Sequence, residues 1–249
     1  MPEGPSILLL KQTIVPLFNK KKILKAFGNA KIDMTQLMGK KIIEIRSWGK
    51  QLLIFTEDQV IRVHLLMFGS YSLDKNYRHA KSLRLALQVP KHTIYFYTCS
   101  VKLLQRDAEQ LYDWKADVLS DEWDPLKARK KLKTISKTMI CDALLDQQIF
   151  SGVGNIIKNE VLYRIKVHPE NLIKNIPSLK LSALIREARN YSFDFLKWKK
   201  KFTLKKHWLA HTKKICLQCN LPIIKKYCGK TKRRTFFCPG CQVKYPVKT

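Results

Sequence analysis

Four cysteines near the C-terminal end constrain the fold of this chain more than any other feature. They stand as Cys216-x-x-Cys219 and Cys238-x-x-Cys241, with 18 residues between the two knuckles. A CxxC knuckle places two thiolates on one side of a tight turn, and two such knuckles complete a tetrahedron around zinc. The sequence between them is β-forming at both ends, Ile223-Ile224 and Thr235-Phe236-Phe237. The spacing predicts a zinc-bound β-hairpin too small to fold without its metal. A full thiolate set leaves no position for water, so the one zinc ion expected here is structural. Cys228, inside the loop, reads as a spare thiol, and Cys99 and Cys141 as buried core residues.

The hairpin is also strongly basic. Lys225, Lys226, Lys230, Lys232, Arg233 and Arg234 fall within it, and residues 197–214 add eight more lysines. Over the whole chain 48 Lys and Arg face 19 Asp and Glu, a net charge of +29 in 249 residues. An excess of that size points to a polyanionic partner, nucleic acid first and an anionic membrane surface second. A hydrophobic fraction of 45% excludes wholesale disorder. No segment is long and apolar enough to span a bilayer. The short run Ile7–Leu10 follows an acidic residue instead of the basic flank of a signal peptide. The expectation is a cytoplasmic protein in a reducing compartment, with no membrane partner.

Along the chain, residues 6–18 read as a mostly apolar helix. Short β-type runs follow: Ile42–Ile45, Leu52–Phe55, Val60–Leu66, Leu83–Val89, Thr93–Thr98 and Val101–Leu104, separated by turn signals such as Trp48-Gly49-Lys50 and Val89-Pro90. Many short strands without alternating helices predict an antiparallel sandwich. Residues 107–125 are acidic and aromatic, and from Leu126 to Leu196 the pattern is helical. The expected class is α+β: a β-sandwich with a leading helix over 1–112, a linker over 113–125, a helical domain over 126–212 and the zinc hairpin over 213–249.

Within the helical region, Ser151-Gly152-Val153-Gly154 turns the chain after an apolar helix ending near Phe150, and Asn155 begins a helix running to about Ile165. Glycines at a helix start let backbone N–H groups approach an anion, and the helix dipole favours phosphate there. Gly-x-Gly before a helix is also an ordinary turn; in a +29 chain phosphate binding is the better reading.

The start, "MPEGPS", places a proline and a carboxylate at the amino end. With Met1 removed, Pro2 carries a secondary amine. Taken with "WGKQLL" (Trp48–Leu53), "LLDQQIFSGVGNIIKNE" (Leu144–Glu160) and "RRTFFCPGCQ" (Arg233–Gln242), this start resembles the Fpg/Nei family of DNA glycosylases, and its "PEGP" is similar to the endonuclease VIII (Nei) branch. The resemblance runs in order along nearly the whole chain. It implies a β-sandwich, a helix–two-turn–helix domain and a C-terminal zinc finger. It implies Pro2 as the nucleophile forming a Schiff base with C1′ of the damaged nucleotide, and Glu3 as the group that moves protons. Lys50 at its hairpin tip, Asn155 with Gly154 in the helical turn, and Arg233 in the zinc hairpin are implied to hold phosphates, Lys50 and Arg233 beside the reacting nucleotide. Met67, in "HLLMFGS" (His64–Ser70), is implied to fill the gap in the base stack, helped by Leu66 and Phe68.

Three positions depart from the family pattern. Ser6 stands where many relatives have a second glutamate. The family's "DPRRFG" segment falls near Tyr97–Lys102, without its Arg and Phe. Tyr191–Thr212 is short and lysine-rich where Fpg-type enzymes carry a lesion-capping loop, which favours oxidised pyrimidines. The resulting expectation is a bifunctional glycosylase/AP lyase of base-excision repair, a bacterial, nucleoid-associated monomer acting on damaged DNA. The alternative is a non-catalytic zinc-finger protein that binds damaged or branched DNA.

Overall fold

The computed structural model describes residues 2–105, 107, 110 and 112–246. They fall into two compact units, Met1–Tyr112 and Asp113–Thr249.

The first unit opens with helix α1, Gly4–Phe18. Pro5 in its first turn is pre-set to helical φ. Ile7, Leu10, Ile14 and Phe18 fall on one stripe and are all buried. Eight strands follow: β1 Lys25–Phe27, β2 Glu44–Trp48, β3 Gln51–Phe55, β4 Gln59–His64, β5 Ser70–Leu73, β6 Leu83–Val89, β7 His92–Tyr97 and β8 Ser100–Gln105. They form two four-stranded antiparallel sheets, ordered β1-β6-β7-β5 and β2-β3-β4-β8. One core joins α1 to both sheets, through Leu52, Ile54, Ile61 and Val63 from one and Leu85, Leu87, Ile94 and Phe96 from the other. This is the antiparallel sandwich with a leading helix expected from the sequence. The strands β1 and β5 were not expected. Both are edges of the same sheet and neither has a buried residue, so they lack the apolar run that marks the inner strands.

The second unit contains α2 (Pro125–Thr134), α3 (Ile140–Ala143), α4 (Asn155–Arg164) and α5 (Ser178–Lys200), then the hairpin β9 (Ile224–Cys228) and β10 (Arg233–Phe237). Its core packs Leu132, Ile140, Phe150, Ile157, Val161, Leu184, Ala188 and Phe195 around α4. Residues 113–125 belong to this unit, and Val118 is wholly buried in its core. Asp124 starts α2 by accepting hydrogen bonds from the backbone N–H of Leu126 and Lys127. The helix expected to run to Phe150 stops at Ala143, and turns carry the chain onward. Gln147 explains the change: its amide donates to the carbonyls of Leu145 and Val153, and its oxygen accepts from the N–H of Gly152. That side chain supplies locally what helical hydrogen bonds otherwise supply.

Candidate functional site

In the first unit Glu3 caps α1 in extended conformation, and its carbonyl accepts from the N–H of Ser6 and Ile7. Its side chain is fully buried beside a half-buried Pro2, and Ser6 is buried one turn along. Lys50 sits in the two-residue turn joining β2 to β3, where Trp48 pairs with Gln51. Gly49 takes φ +52° at the first turn position, a conformation glycine adopts without strain.

Met67 lies in the loop after β4, and the Leu66-Met67-Phe68 side chains are 49%, 51% and 76% exposed. Two residues not singled out in the sequence hold this loop. His64 Nδ1 accepts the N–H of Leu66 at 3.0 Å, with Leu66 at φ +53°. Burial, then the charges of Lys50 and Arg62, lower the His64 pKa and keep the ring neutral, as an accepting Nδ1 requires. Gly69 donates its N–H to the carbonyl of Leu65, and a Cβ there would lie 2.0 Å from that oxygen. The three apolar side chains are therefore presented on a braced turn.

In the second unit Gly154 is the N-cap of α4, and Gly152 at φ +93° makes the turn before it. The Asn155 amide donates to the carbonyl of Arg234 at 2.8 Å. Its expected duty on phosphate is thereby joined by another, strapping the helical turn to the hairpin. Arg233 opens β10, exposed and paired in register with Cys228. The hairpin's cations are not all alike. Lys226 is bonded to Glu170, whose carboxyl is held below its usual range chiefly by that hydrogen bond.

Behind this face α4 carries a buried polar triplet that the sequence reading did not separate from the motif. Lys158, Asn159 and Glu160 are each 0% exposed. Lys158 Nζ donates to Thr235 Oγ1 at 2.7 Å, reaching into β10. Asn159 bonds to the His211 ring at 3.0 Å and accepts from the N–H of Phe236. The Glu160 carboxylate accepts from the backbone N–H of Leu209, Ala210 and His211 at 2.8–3.1 Å, and so fixes the loop before the cysteines. Burial, then the charges of Lys158 and Arg234, lower the His211 pKa to about 4. The far end of the hairpin is held by Asp142, which accepts from the N–H of Lys230 and Thr231 and from the Thr231 hydroxyl. Gly229, at φ +72°, permits that approach; a Cβ there would lie 2.3 Å from the carboxylate.

The sulfur atoms of Cys216, Cys219, Cys238 and Cys241 all lie within 4.8 Å of one another, with Cys216–Cys241 at 3.8 Å and Cys219–Cys238 at 3.3 Å. Zinc–sulfur bonds of about 2.3 Å in a tetrahedron require sulfur–sulfur edges of about 3.8 Å, so the donor set fits that ion. The hydroxyl of buried Tyr163, on α4, lies 3.0 Å from Cys216 Sγ, the kind of outer hydrogen bond that orients a metal ligand. Cys228 stands apart, buried in the helical core, and Cys99 and Cys141 are buried as expected.

Comparison with known proteins decides the family. Residues 1–100 match the model of the formamidopyrimidine-DNA glycosylase N-terminal domain, and residues 116–193 that of the formamidopyrimidine-DNA glycosylase H2TH domain. The chain belongs to the Fpg/Nei family of DNA glycosylases. The first match includes Pro2, Glu3, Lys50 and Met67 and the second Gly154 and Asn155; the cysteine hairpin lies beyond both. The chain is 31% identical over 237 residues to endonuclease 8-like 3 of Xenopus laevis, covering 90% of this chain and 38% of that protein. It is 27% identical over 295 residues to the formamidopyrimidine-DNA glycosylase of Lactobacillus helveticus, covering 98% of this chain and all of that protein. It thus spans about a third of the length of the endonuclease 8-like relatives. The fold is that of Lactococcus lactis Fpg, solved non-covalently bound to DNA containing an AP site, at TM-score 0.86 and 23% identity over 97% of this chain.

Proposed function

We propose that the chain is a bifunctional DNA glycosylase/AP lyase that removes oxidised bases, chiefly pyrimidines, from damaged DNA in base-excision repair. The observation that carries this reading is the pairing of Pro2 with the fully buried Glu3 at the head of α1, within the matched family domain. A Schiff base needs an amine partly unprotonated near neutral pH. An α-amine, with a reference pKa of about 7.7–8.0, is far closer to that than lysine at about 10.4. Once Met1 is removed, the Pro2 nitrogen attacks C1′, the base departs with a proton, and the sugar ring opens to an iminium. Glu3 moves the protons of these steps. The iminium makes C2′–H acidic enough to expel the 3′ phosphate and then the 5′ phosphate, and water releases Pro2.

Lys50, Asn155 with Gly154, and Arg233 hold the phosphates around the extruded nucleotide, and Met67 enters the gap it leaves, offsetting an unstacking cost of a few kcal/mol. The short, lysine-rich segment after α5 supports pyrimidines as the preferred lesions. Zinc on the four cysteines would hold the hairpin that presents Arg233; it supplies no chemistry to the reaction. The protein acts as a monomer in the bacterial cytoplasm, on the nucleoid. The test is borohydride trapping on an oligonucleotide carrying thymine glycol, with the mature N-terminus verified by intact mass. A covalent adduct at Pro2 is expected, and its absence from correctly processed protein sinks the reading.

A further inference from the structure

A groove in the second unit, between the first turn of α2 and the middle of α5, takes no part in the phosphate contacts. Its volume is about 460 Å³. Trp123 and Ile185 form apolar lining, and Leu126 stands at the start of α2 with 79% of its surface exposed. Arg129, Arg186 and Arg189 line the same groove. The chain has eleven arginines and thirty-seven lysines, yet three arginines and no lysine line it. That inverts the composition of the basic hairpin and of residues 197–214. Arginine and aromatic residues are enriched, and lysine depleted, where proteins meet proteins. The planar guanidinium fork matches a carboxylate.

Two of the three charges are held in place by hydrogen bonds. Arg129 donates to the carbonyl of Ser178 and to the hydroxyls of Ser178 and Ser182. Arg189 donates to the carbonyls of Val118 and Ser120 at 3.1 and 2.8 Å. Among the described residues none of the three arginines is ion-paired. Asp124 faces the N–H groups of Leu126 and Lys127. Glu187, beside Arg186 in the chain, lies 3.9 Å from Arg164 while also feeling the charge of Arg186. The two guanidinium groups so fixed, of Arg129 and Arg189, lose little freedom when a ligand arrives. A polar backbone such as DNA gains nothing from the Trp123–Leu126–Ile185 surface, whereas an apolar side chain does.

We propose that this groove binds an acidic peptide segment of a partner protein, seating one bulky apolar side chain against Trp123, Leu126 and Ile185 with flanking carboxylates on the three arginines. The site is independent of the reaction at Pro2. It is tested with the full chain and a fluorescein-labelled peptide, EEDFLDE, followed by anisotropy at about 0.15 M salt, where distant charges are screened. Saturable micromolar binding is expected. Arg186→Glu, at an exposed residue with no structural hydrogen bond, should weaken it at least about tenfold, and Leu126→Asp by a similar factor. The charge-matched peptide EEDSSDE should bind about tenfold more weakly, and Lys201→Glu, the same charge change elsewhere, should shift affinity less than about twofold. Lesion cleavage by the Arg186→Glu and Leu126→Asp variants should be unchanged. The proposal is overturned if EEDFLDE does not saturate, if Arg186→Glu and Lys201→Glu weaken it equally, or if Arg186→Glu lowers DNA affinity in place of peptide affinity.

Discussion

Two hairpins present the basic residues assigned to phosphate, and they are built on different principles. The β2–β3 hairpin, with Lys50 at its turn, is continuous with the hydrophobic core: Ile45, Trp48, Leu52, Leu53, Ile54 and Phe55 are all buried. The β9–β10 hairpin, with Arg233 on its second strand, exposes most of β9, and only the end of β10 enters the interior. It is held by the cysteine cluster at one end, Asp142 at the other and the polar triplet of α4 behind. The first hairpin is held by area removed from water, a diffuse and redundant force. The second adds to the burial of Phe236 and Phe237 a few directional contacts, each a single point of failure.

The largest separation of the two should come from a metal chelator. Structural zinc contributes roughly 10–16 kcal/mol in small zinc domains. Stripping it should abolish amide-exchange protection on β9–β10 while β2–β3 stays protected. Next, Glu160→Ala strands three backbone N–H groups, that of Ala210 buried and those of Leu209 and His211 part-buried. The cost is about 1–3 kcal/mol for the buried one and less for the others. Urea unfolding should show the second unit destabilised by roughly 3–5 kcal/mol, with the first unit's transition unmoved. Gly229→Ala combines a left-handed φ with a clash on Asp142 and should cost about 1–3 kcal/mol, read as faster exchange at Lys230 and Thr231.

The pH response should differ in the same sense. His211 titrates near 4 when folded against about 6.5 unfolded, so its contribution is whole above pH 6.5, declines as pH falls from there towards 4, and then levels. Denaturation at stepped pH should show that decline in the second unit, and His211→Gln should remove it. The smallest effect should be the most even-handed. Lys50→Ala and Arg233→Ala should each reduce the salt slope of DNA affinity by about one unit, with the fold intact.

What could be read from the sequence follows the same division. Strands buried by the core announced themselves as apolar runs, and α1 as a helical stripe; the solvated edges β1 and β5 carried no such mark. The cysteine knuckles were legible because their ligands are close in sequence, and the Gly154–Asn155 turn because the glycines are local signals. His64 was not singled out, although its partner Leu66 is two residues away, because a histidine beside an apolar run has no distinctive signature. Asp142 and Glu160 were silent for another reason: their partners lie 88 and 49 positions along the chain, and most of those partners are backbone N–H groups that any residue supplies. Gln147 redirected a helix into turns by a side-chain bond that periodicity does not register.

The triplet on α4 also sets how freely this chain can drift over generations. Lys158 meets a side chain, Thr235, so a second substitution can follow the first and exchange a polar contact for an apolar one. Asn159 meets the His211 ring but also accepts the main-chain N–H of Phe236, so only one of its two bonds is open to such a trade. Glu160 has no such latitude. It answers to main-chain N–H groups, which no mutation at positions 209–211 other than to proline can withdraw or reshape. Of three adjacent buried residues, one is negotiable with its partner, one only in part, and the third is bound to main chain alone on the loop it holds.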